Sequence, residues 1–88
     1  LLILRATPNN LPYTRFGCVV GKRVSLKAVE RNRIRRRLRE ILRRAPLIAG
    51  WDQLIIARSA CAGADFSILH GAVIQLEKRL GLVEKVGR

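Results

Sequence analysis

Residues 30 to 40, ERNRIRRRLRE, hold six arginines and no lysine, and this stretch constrains the fold more than any other. Apolar residues lie among and after the arginines at spacings of three and four residues. This spacing places the apolar residues on one face of an α-helix. They are Ile34, Leu38, Ile41, Leu42 and Ala45. The pattern predicts a helix that starts near Lys27, with Ser25 as its N-cap, and ends before Pro46, which cannot continue it.

The opposite side of this helix carries most of its charge. At 3.6 residues per turn, the residues opposite the apolar stripe are Asn32, Arg35, Arg36, Arg39 and Arg43. Those beside them are Arg33, Arg37 and Arg44 on a flank and Arg31 near the apolar edge. Like charges four residues apart repel by a few tenths of a kcal/mol per exposed pair. Folding alone therefore gives no reason for arginine at nearly every outer position.

The whole chain is strongly basic, with 18 Lys or Arg against six Asp or Glu in 88 residues and a net charge of +12. Between residues 22 and 44, eleven Lys or Arg oppose two Glu, a balance of +9, so the charge forms a patch. A merely solvated face would usually mix signs. Guanidinium groups bind phosphate through paired hydrogen bonds and stack on bases. The patch therefore predicts binding to a nucleic acid.

The segments around the helix predict one two-layer α+β domain. Residues 1–6 and 15–21 are typical of strands, and we expect them to pair as an antiparallel hairpin across the Pro- and Asn-rich residues 7–14. Residues 51–59 predict a third strand, with LIIA buried on both faces. The order ββαβα predicts a parallel pair bridged by the arginine helix within a mixed sheet.

A second helix is predicted after Asp65, its N-cap, and before Gly81, a residue suited to a left-handed C-terminal cap. Its inner seam follows the same three- and four-residue spacing. The seam comprises Phe66, Leu69, Val73, Leu76 and Leu80. His70, the single histidine, falls on the outer side.

No pattern predicts a catalytic or metal site within the chain. Glu30 and Glu40 are ten residues apart, roughly 15 Å along a helix, which is too far for one shared metal. Cys18 and Cys61 form neither a disulfide framework nor a zinc spacing. Phosphate-loop, nucleophile-elbow and zinc-protease motifs are absent from the sequence. The longest apolar runs, about four residues, are too short to cross a membrane.

The segment RFGCVVGKRVSLKAVERNRIRRRLREILRR, Arg15 to Arg44, resembles the protein subunit of bacterial ribonuclease P. Its centre, RNRIRRRLRE, resembles the arginine–asparagine–arginine signature of that family. The stretches WDQLIIAR, Trp51 to Arg58, and FSILHGAVIQLEKRLGLV, Phe66 to Val83, agree as well, so the resemblance covers essentially the whole chain.

The resemblance implies a cytoplasmic protein cofactor of a large catalytic RNA, the endonuclease that removes the 5′ leader from precursor tRNA. Mg²⁺ is implied at the RNA active centre and not on protein residues, with no membrane and no obligate protein partner. The residues that match the family's RNA contacts are Lys22, Arg23, Lys27, Arg31, Asn32, Arg33, Arg35, Arg36, Arg39 and Arg43. Phe16 and its strand would approach the leader.

The resemblance also implies a ribosomal-protein-like fold with a left-handed βαβ crossover, against the usual right-handed rule. Because nothing precedes Leu1, we expect the domain, residues 1–88, to be N-terminally truncated and to lack the family's N-terminal helix. Two alternatives stay open at this point: a ribosomal or other structural RNA-binding protein, and a stand-alone nuclease. Asn32 also has two candidate roles, an RNA contact or a cap of the helix start.

Overall fold

The computed structural model describes residues 1–83, in which three strands and two helices follow the predicted order ββαβα. The last five residues of the domain predicted at 1–88 lie outside this described range. The elements are β1 (Leu2–Pro8), β2 (Arg15–Val20), α1 (Ala28–Arg44), β3 (Trp51–Ala57) and α2 (Phe66–Arg79). The predicted α+β class is confirmed.

The sheet has the strand order β1-β3-β2, so the predicted hairpin between β1 and β2 is wrong. β3 lies between them, antiparallel to β1 and parallel to β2. Ile55 of β3 is fully buried at the centre of the sheet, where strands on both sides can cover it. The predicted parallel pair bridged by α1 is confirmed. The left-handed sense of that crossover stays a prediction.

The apolar stripe of α1 is buried as predicted. Ile34, Leu38, Ile41 and Leu42 are each no more than 5% exposed, and Leu38 is fully buried. The helix ends at Arg44, and Ala45 donates its backbone N–H to the Ile41 carbonyl oxygen before Pro46. These contacts fix the rotation of α1 about its axis, and therefore fix which side faces outward.

The start of α1 differs from the prediction, because Lys27 and not Ser25 is the N-cap residue. The Ser25 hydroxyl accepts a hydrogen bond from the Lys27 backbone N–H at 3.1 Å and donates one to Glu30 Oε1 at 2.6 Å. Ser25 therefore closes the turn before the helix, and does not cap the helix itself. The N-cap therefore lies two residues later than the pattern predicts, because the short polar side chain of Ser25 bonds to local groups of the preceding turn.

The predicted inner seam of α2 is correct in the middle and wrong at both ends. Leu69 and Val73 are fully buried and Leu76 is half-buried, whereas Phe66 is 44% and Leu80 50% exposed. Both exposed residues have the right helical phase, but Phe66 begins α2 and Leu80 is its C-cap, and no element of residues 1–83 covers them there. Phe66 instead stacks on His70, which is exposed as predicted, with ring centroids 6.2 Å apart.

Both predicted caps of α2 are confirmed. Asp65 Oδ1 accepts a hydrogen bond from the Ile68 N–H at 2.9 Å. At the other end, Gly81 has a φ of +72°, and its N–H donates to the Lys78 carbonyl oxygen. The following N–H, of Leu82, donates to the carbonyl oxygen of Glu77, which completes a Schellman motif.

Only one face of the sheet is covered by the helices. In β3, Gln53, Ile55 and Ala57 are buried, while Leu54 between them is 38% exposed, so the prediction that LIIA is buried on both faces is wrong. The alternation arises because both helices pack on the same side of a strand whose side chains point to opposite faces.

A buried carboxyl group, that of Glu77, lies on the inner side of α2 and is fully inaccessible to solvent. Burial raises its pKa to about 7, and the neighbouring Gln53 side chain of β3 opposes this rise. The four side-chain oxygen and nitrogen atoms of the two residues find no partner in hydrogen-bonding geometry within the described part of the chain. Desolvation is therefore the dominant cause of the raised pKa of Glu77.

Replacing Leu38 by Ala tests the packing of α1. Removing a fully buried leucine is expected to lower the free energy of unfolding by about 2–5 kcal/mol, through lost burial and the cavity that remains. Urea denaturation measures this change. Leu26, 83% exposed in the turn before α1, provides the matched control, and Leu26→Ala should change stability by no more than about 0.5 kcal/mol. Equal effects of the two substitutions would contradict the assigned buried face.

Because of Glu77, the free energy of unfolding should fall as the pH rises. A pKa raised from 4.5 to about 7 means that the folded state holds the proton more tightly than the unfolded state. The contribution of this proton to the free energy of unfolding is fully present below the pKa of Glu77 in the unfolded state. It is lost as the pH rises through about 7. The loss between about pH 5 and pH 8 should be on the order of 2–3 kcal/mol by urea denaturation, and Glu77→Gln should remove most of it. A Glu77→Gln protein with the wild-type pH profile would contradict this assignment.

Candidate nucleic-acid interface

The outward side of α1 presents a nearly continuous row of polar side chains. The exposed members are Asn32, Arg33, Arg36, Arg39, Arg43 and Arg44. Asn32, Arg36, Arg39 and Arg43 line one shallow groove along the helix, together with Arg35 and Glu40. The predicted outer face is therefore present, and the buried stripe holds it in one orientation. We call these exposed residues, with Arg35, the arginine face.

Most of these arginines have no carboxylate partner within residues 1–83. The ion pairs within residues 1–83 are those of Arg15 with Asp52 and of Arg43 and Arg44 with Glu40. Among these residues, Arg33, Arg36 and Arg39 pair with no carboxylate. Guanidinium groups held close together without counter-charges create a site for a polyanion, because a row of phosphates relieves their mutual repulsion.

Arg35 lies on a flank and not on the outermost line that the helical wheel gives it. Its Nη1 donates to Asn32 Oδ1 at 2.7 Å, and its Nη2 lies 3.5 Å from the carbonyl oxygen of Val20 at the end of β2. This contact with the edge strand leaves Arg35 half-buried. Asn32 does not cap the helix start, which is at Ala28. Its amide oxygen instead orients the guanidinium of Arg35.

Two other arginines are partly engaged with the protein. Arg31 is half-buried, and its Nη1 donates to the Ser25 carbonyl oxygen at 2.9 Å. Arg37, also half-buried, points its Nη1 toward the Ala64 carbonyl oxygen at 3.4 Å. Arg31 therefore reinforces the turn before α1, while Arg37 links α1 to the segment that leads into α2.

Lys22, Arg23 and Lys27 extend the positive surface from α1 to the edge of the sheet. All three are exposed and occupy the connection between β2 and α1. The connection is anchored by Val24, which is 5% exposed and belongs to the core. Because β2 is an edge strand, these cations border both its end and the first turn of α1.

The aromatic residues near this surface differ in exposure. Phe16 is half-buried, in the row of β2 that faces the helices, and packs against the core. Tyr13 is 54% exposed, in the loop before β2, and Trp51 is half-buried at the start of β3. Phe16, the expected leader contact, therefore offers only part of its ring to a ligand beside α1.

A polar cluster that the sequence does not reveal fixes the start of β2. Arg15 Nε and Nη2 donate to the two Asp52 carboxylate oxygens at 2.8 and 2.7 Å, and Asn9 Nδ2 donates to Oδ1 at 2.9 Å. The hydrogen bond from Arg15, followed by that from Asn9, lowers the pKa of Asp52 to about 2. The partners lie 37 and 43 residues apart in sequence, so no local pattern could reveal them.

The acidic residues of the described chain do not form a metal site. Glu30 accepts from Ser25, Glu40 pairs with Arg44, and Asp52 pairs with Arg15. Asp65 caps α2 and Glu77 is buried in the core. No group of three potential ligands that could hold a metal ion occurs within residues 1–83. No helix of that range is long and apolar enough to cross a bilayer.

A row of arginines along one helix of a small domain is characteristic of proteins that bind the phosphate backbone of nucleic acids. The comparison with known families is specific. The family model for ribonuclease P matches residues 1–81. The chain belongs to the ribonuclease P protein family.

Similar proteins include several that are named ribonuclease P protein component. That of Stutzerimonas stutzeri is 44% identical over 90% of this chain and 61% of its own length. Those of Roseiflexus castenholzii and Dehalococcoides mccartyi are 47% and 50% identical, over 96% and 97% of this chain and 70% of their own length. The chain thus spans between 61% and 70% of the length of these relatives.

The fold is shared with solved structures. The ribonuclease P protein of Thermotoga maritima superposes with a TM-score of 0.80 at 29% identity, over 96% of this chain and 78% of that one. The Staphylococcus aureus protein gives a TM-score of 0.81 at 21% identity, over 94% of this chain and 77% of that one, a likeness of fold alone.

Proposed function

We propose that this chain acts as a protein cofactor of ribonuclease P, which binds the catalytic RNA through the arginine face and assists removal of the 5′ leader from precursor tRNA. The observation that carries the proposal is the set Arg33, Arg36 and Arg39, exposed and without a carboxylate partner in residues 1–83, on a helix whose opposite side is buried. Membership of the family supports the choice of RNA.

The contacts proposed for the catalytic RNA differ in strength. Arg33, Arg36 and Arg39 are free to bind phosphates, whereas Arg43 shares Glu40 with Arg44. Arg31, Asn32 and Arg35 contribute less directly, because each already contacts the protein. Lys22, Arg23 and Lys27 extend the contact toward the sheet edge. Phe16 contributes the exposed part of its ring to the leader.

Catalysis is assigned to the RNA. Within residues 1–83 the carboxylates are engaged in ion pairs, in a hydrogen bond from Ser25, in a helix cap or in the core, so they do not fit a protein metal centre. The proposed partners are the catalytic RNA and precursor tRNA in the cytoplasm, without an obligate protein partner. The protein then contributes positive charge that screens phosphate repulsion between the two RNAs.

Cleavage of precursor tRNA at low Mg²⁺ tests this function. Bacterial ribonuclease P RNA alone should cleave slowly, and adding the protein should restore removal of the 5′ leader. The Arg36→Ala, Arg39→Ala double variant should restore less, and each lost phosphate contact should reduce the log–log salt slope of RNA binding by roughly 0.7–0.9. Arg79→Ala, an exposed arginine on α2, is the control and should behave like wild type.

Two outcomes would overturn the proposal. Cleavage by the protein without RNA would indicate a stand-alone nuclease. Binding to RNA without any stimulation of cleavage would indicate a structural RNA-binding protein of the ribosomal kind. An unchanged salt slope in the double variant would mean that Arg36 and Arg39 do not contact phosphates.

A further inference from the structure

The two most exposed large apolar side chains of residues 1–83 lie at the start of α1. Leu26 is 83% exposed in the turn before the helix, and Val29 is 69% exposed in its first turn. Exposed apolar residues scattered singly need no explanation. These two are three residues apart in sequence, inside the most basic part of the chain.

Neither side chain has a role in folding that accounts for its identity. Leu26 precedes the N-cap Lys27, a position where an apolar residue often packs on the fourth helical residue. That fourth residue is Arg31, which turns away to donate to the Ser25 carbonyl oxygen. Val29, β-branched and exposed, has a lower helix propensity than alanine.

The turn that carries Leu26 is held firmly. Val24 is 5% exposed in the core, two residues before Leu26. Ser25 is fixed from both sides, by its hydroxyl to Glu30 Oε1 at 2.6 Å and by its carbonyl oxygen to Arg31 Nη1 at 2.9 Å. Leu26 is therefore projected into solvent by a braced backbone.

The surroundings indicate what covers these side chains. At 3.6 residues per turn, Val29 lies in line with Asn32, Arg33 and Arg36 of the arginine face. Arg23 lies three residues before Leu26 and Lys27 directly follows it, and both are exposed. An apolar spot with a rim of cations is complementary to RNA, whose phosphates meet the rim while a base or ribose covers the centre.

We propose that Leu26 and Val29 form an apolar platform for an unstacked nucleotide of the RNA partner, whose base or ribose packs on the two side chains. This inference rests on the proposed function and adds to it a contact that is independent of charge. Flipped or unpaired bases are held by apolar as well as aromatic side chains. The platform would give the first turn of α1 a preference for irregular RNA over a regular duplex.

The test compares Leu26→Ala, Val29→Ala and the double variant with wild type in binding to bacterial ribonuclease P RNA across a range of salt concentrations. The double variant should lose about tenfold in affinity, the scale of one base-packing contact, with an unchanged salt slope because no phosphate contact is lost. Ile68→Ala removes a similarly exposed apolar side chain, 51% accessible, from α2 and should bind like wild type. Val29→Ala favours the helix, so loss of folding cannot explain its effect.

The results separate this inference from the function on which it rests. If the Leu26→Ala, Val29→Ala protein binds RNA with wild-type affinity, the platform is overturned. If Arg36→Ala and Arg39→Ala weaken binding in the same experiment, the proposed function stays intact. Wild-type binding in both sets would overturn the platform and the phosphate contacts of Arg36 and Arg39, whereas a failure to stimulate cleavage would contradict the function itself. A reduced salt slope in the apolar variant would also overturn the platform, because its effect would then act through the neighbouring cations.

Discussion

Burial of one narrow stripe of α1 is the interaction on which the rest of the structure depends. Ile34, Leu38, Ile41 and Leu42 are nearly inaccessible, and burying a side chain of this size contributes about 1.5–3 kcal/mol. The like-charge pairs on the other side cost only a few tenths of a kcal/mol each. Packing therefore outweighs repulsion by a wide margin, and the helix can carry a charge density that would disfavour it in isolation.

The same packing determines how the arginine face is presented to solvent. A disordered basic tail would lose conformational entropy on binding, whereas α1 already holds the backbone of its arginines in place. Contacts within the protein refine the arrangement further, since Asn32 orients Arg35 and Arg31 braces the turn that precedes the helix. The arginine face is thus preformed for the phosphate contacts proposed above, and Leu26 and Val29 are the exposed residues of the proposed apolar platform.

Features that depend on neighbouring residues could be predicted from the sequence. The period of α1, its end before Pro46, the Asp65 cap and the left-handed Gly81 all follow from local chemistry and are confirmed. Partners distant in sequence could not be predicted. The insertion of β3 between β1 and β2, and the pairing of Arg15 with Asp52, join segments that share no local signal.

The exposure and contacts of side chains at the ends and flanks of the helices could not be predicted from the sequence pattern either. A helical wheel shows which side of a helix a residue lies on, but not how far along its length other elements pack against the helix. For this reason the wheel places Phe66 in the core, although its side chain is exposed. It also treats every arginine alike, whereas Arg35 is drawn toward the Val20 carbonyl oxygen of an edge strand. The burial of Glu77 also departs from the rule that the inner side of a helix is apolar. The core accommodates this carboxyl group because its raised pKa favours the neutral, protonated form.

We propose that the arginine face of α1 lies against RNA in the complex. A hydroxyl-radical source tethered at Arg36→Cys tests it most directly, in a protein whose Cys18 and Cys61 are replaced by Ala, with Gln75→Cys on α2 as the matched site beside β1. We expect localised cleavage of bacterial ribonuclease P RNA from position 36 and little from position 75. Cleavage from position 75 with none from position 36 would contradict it.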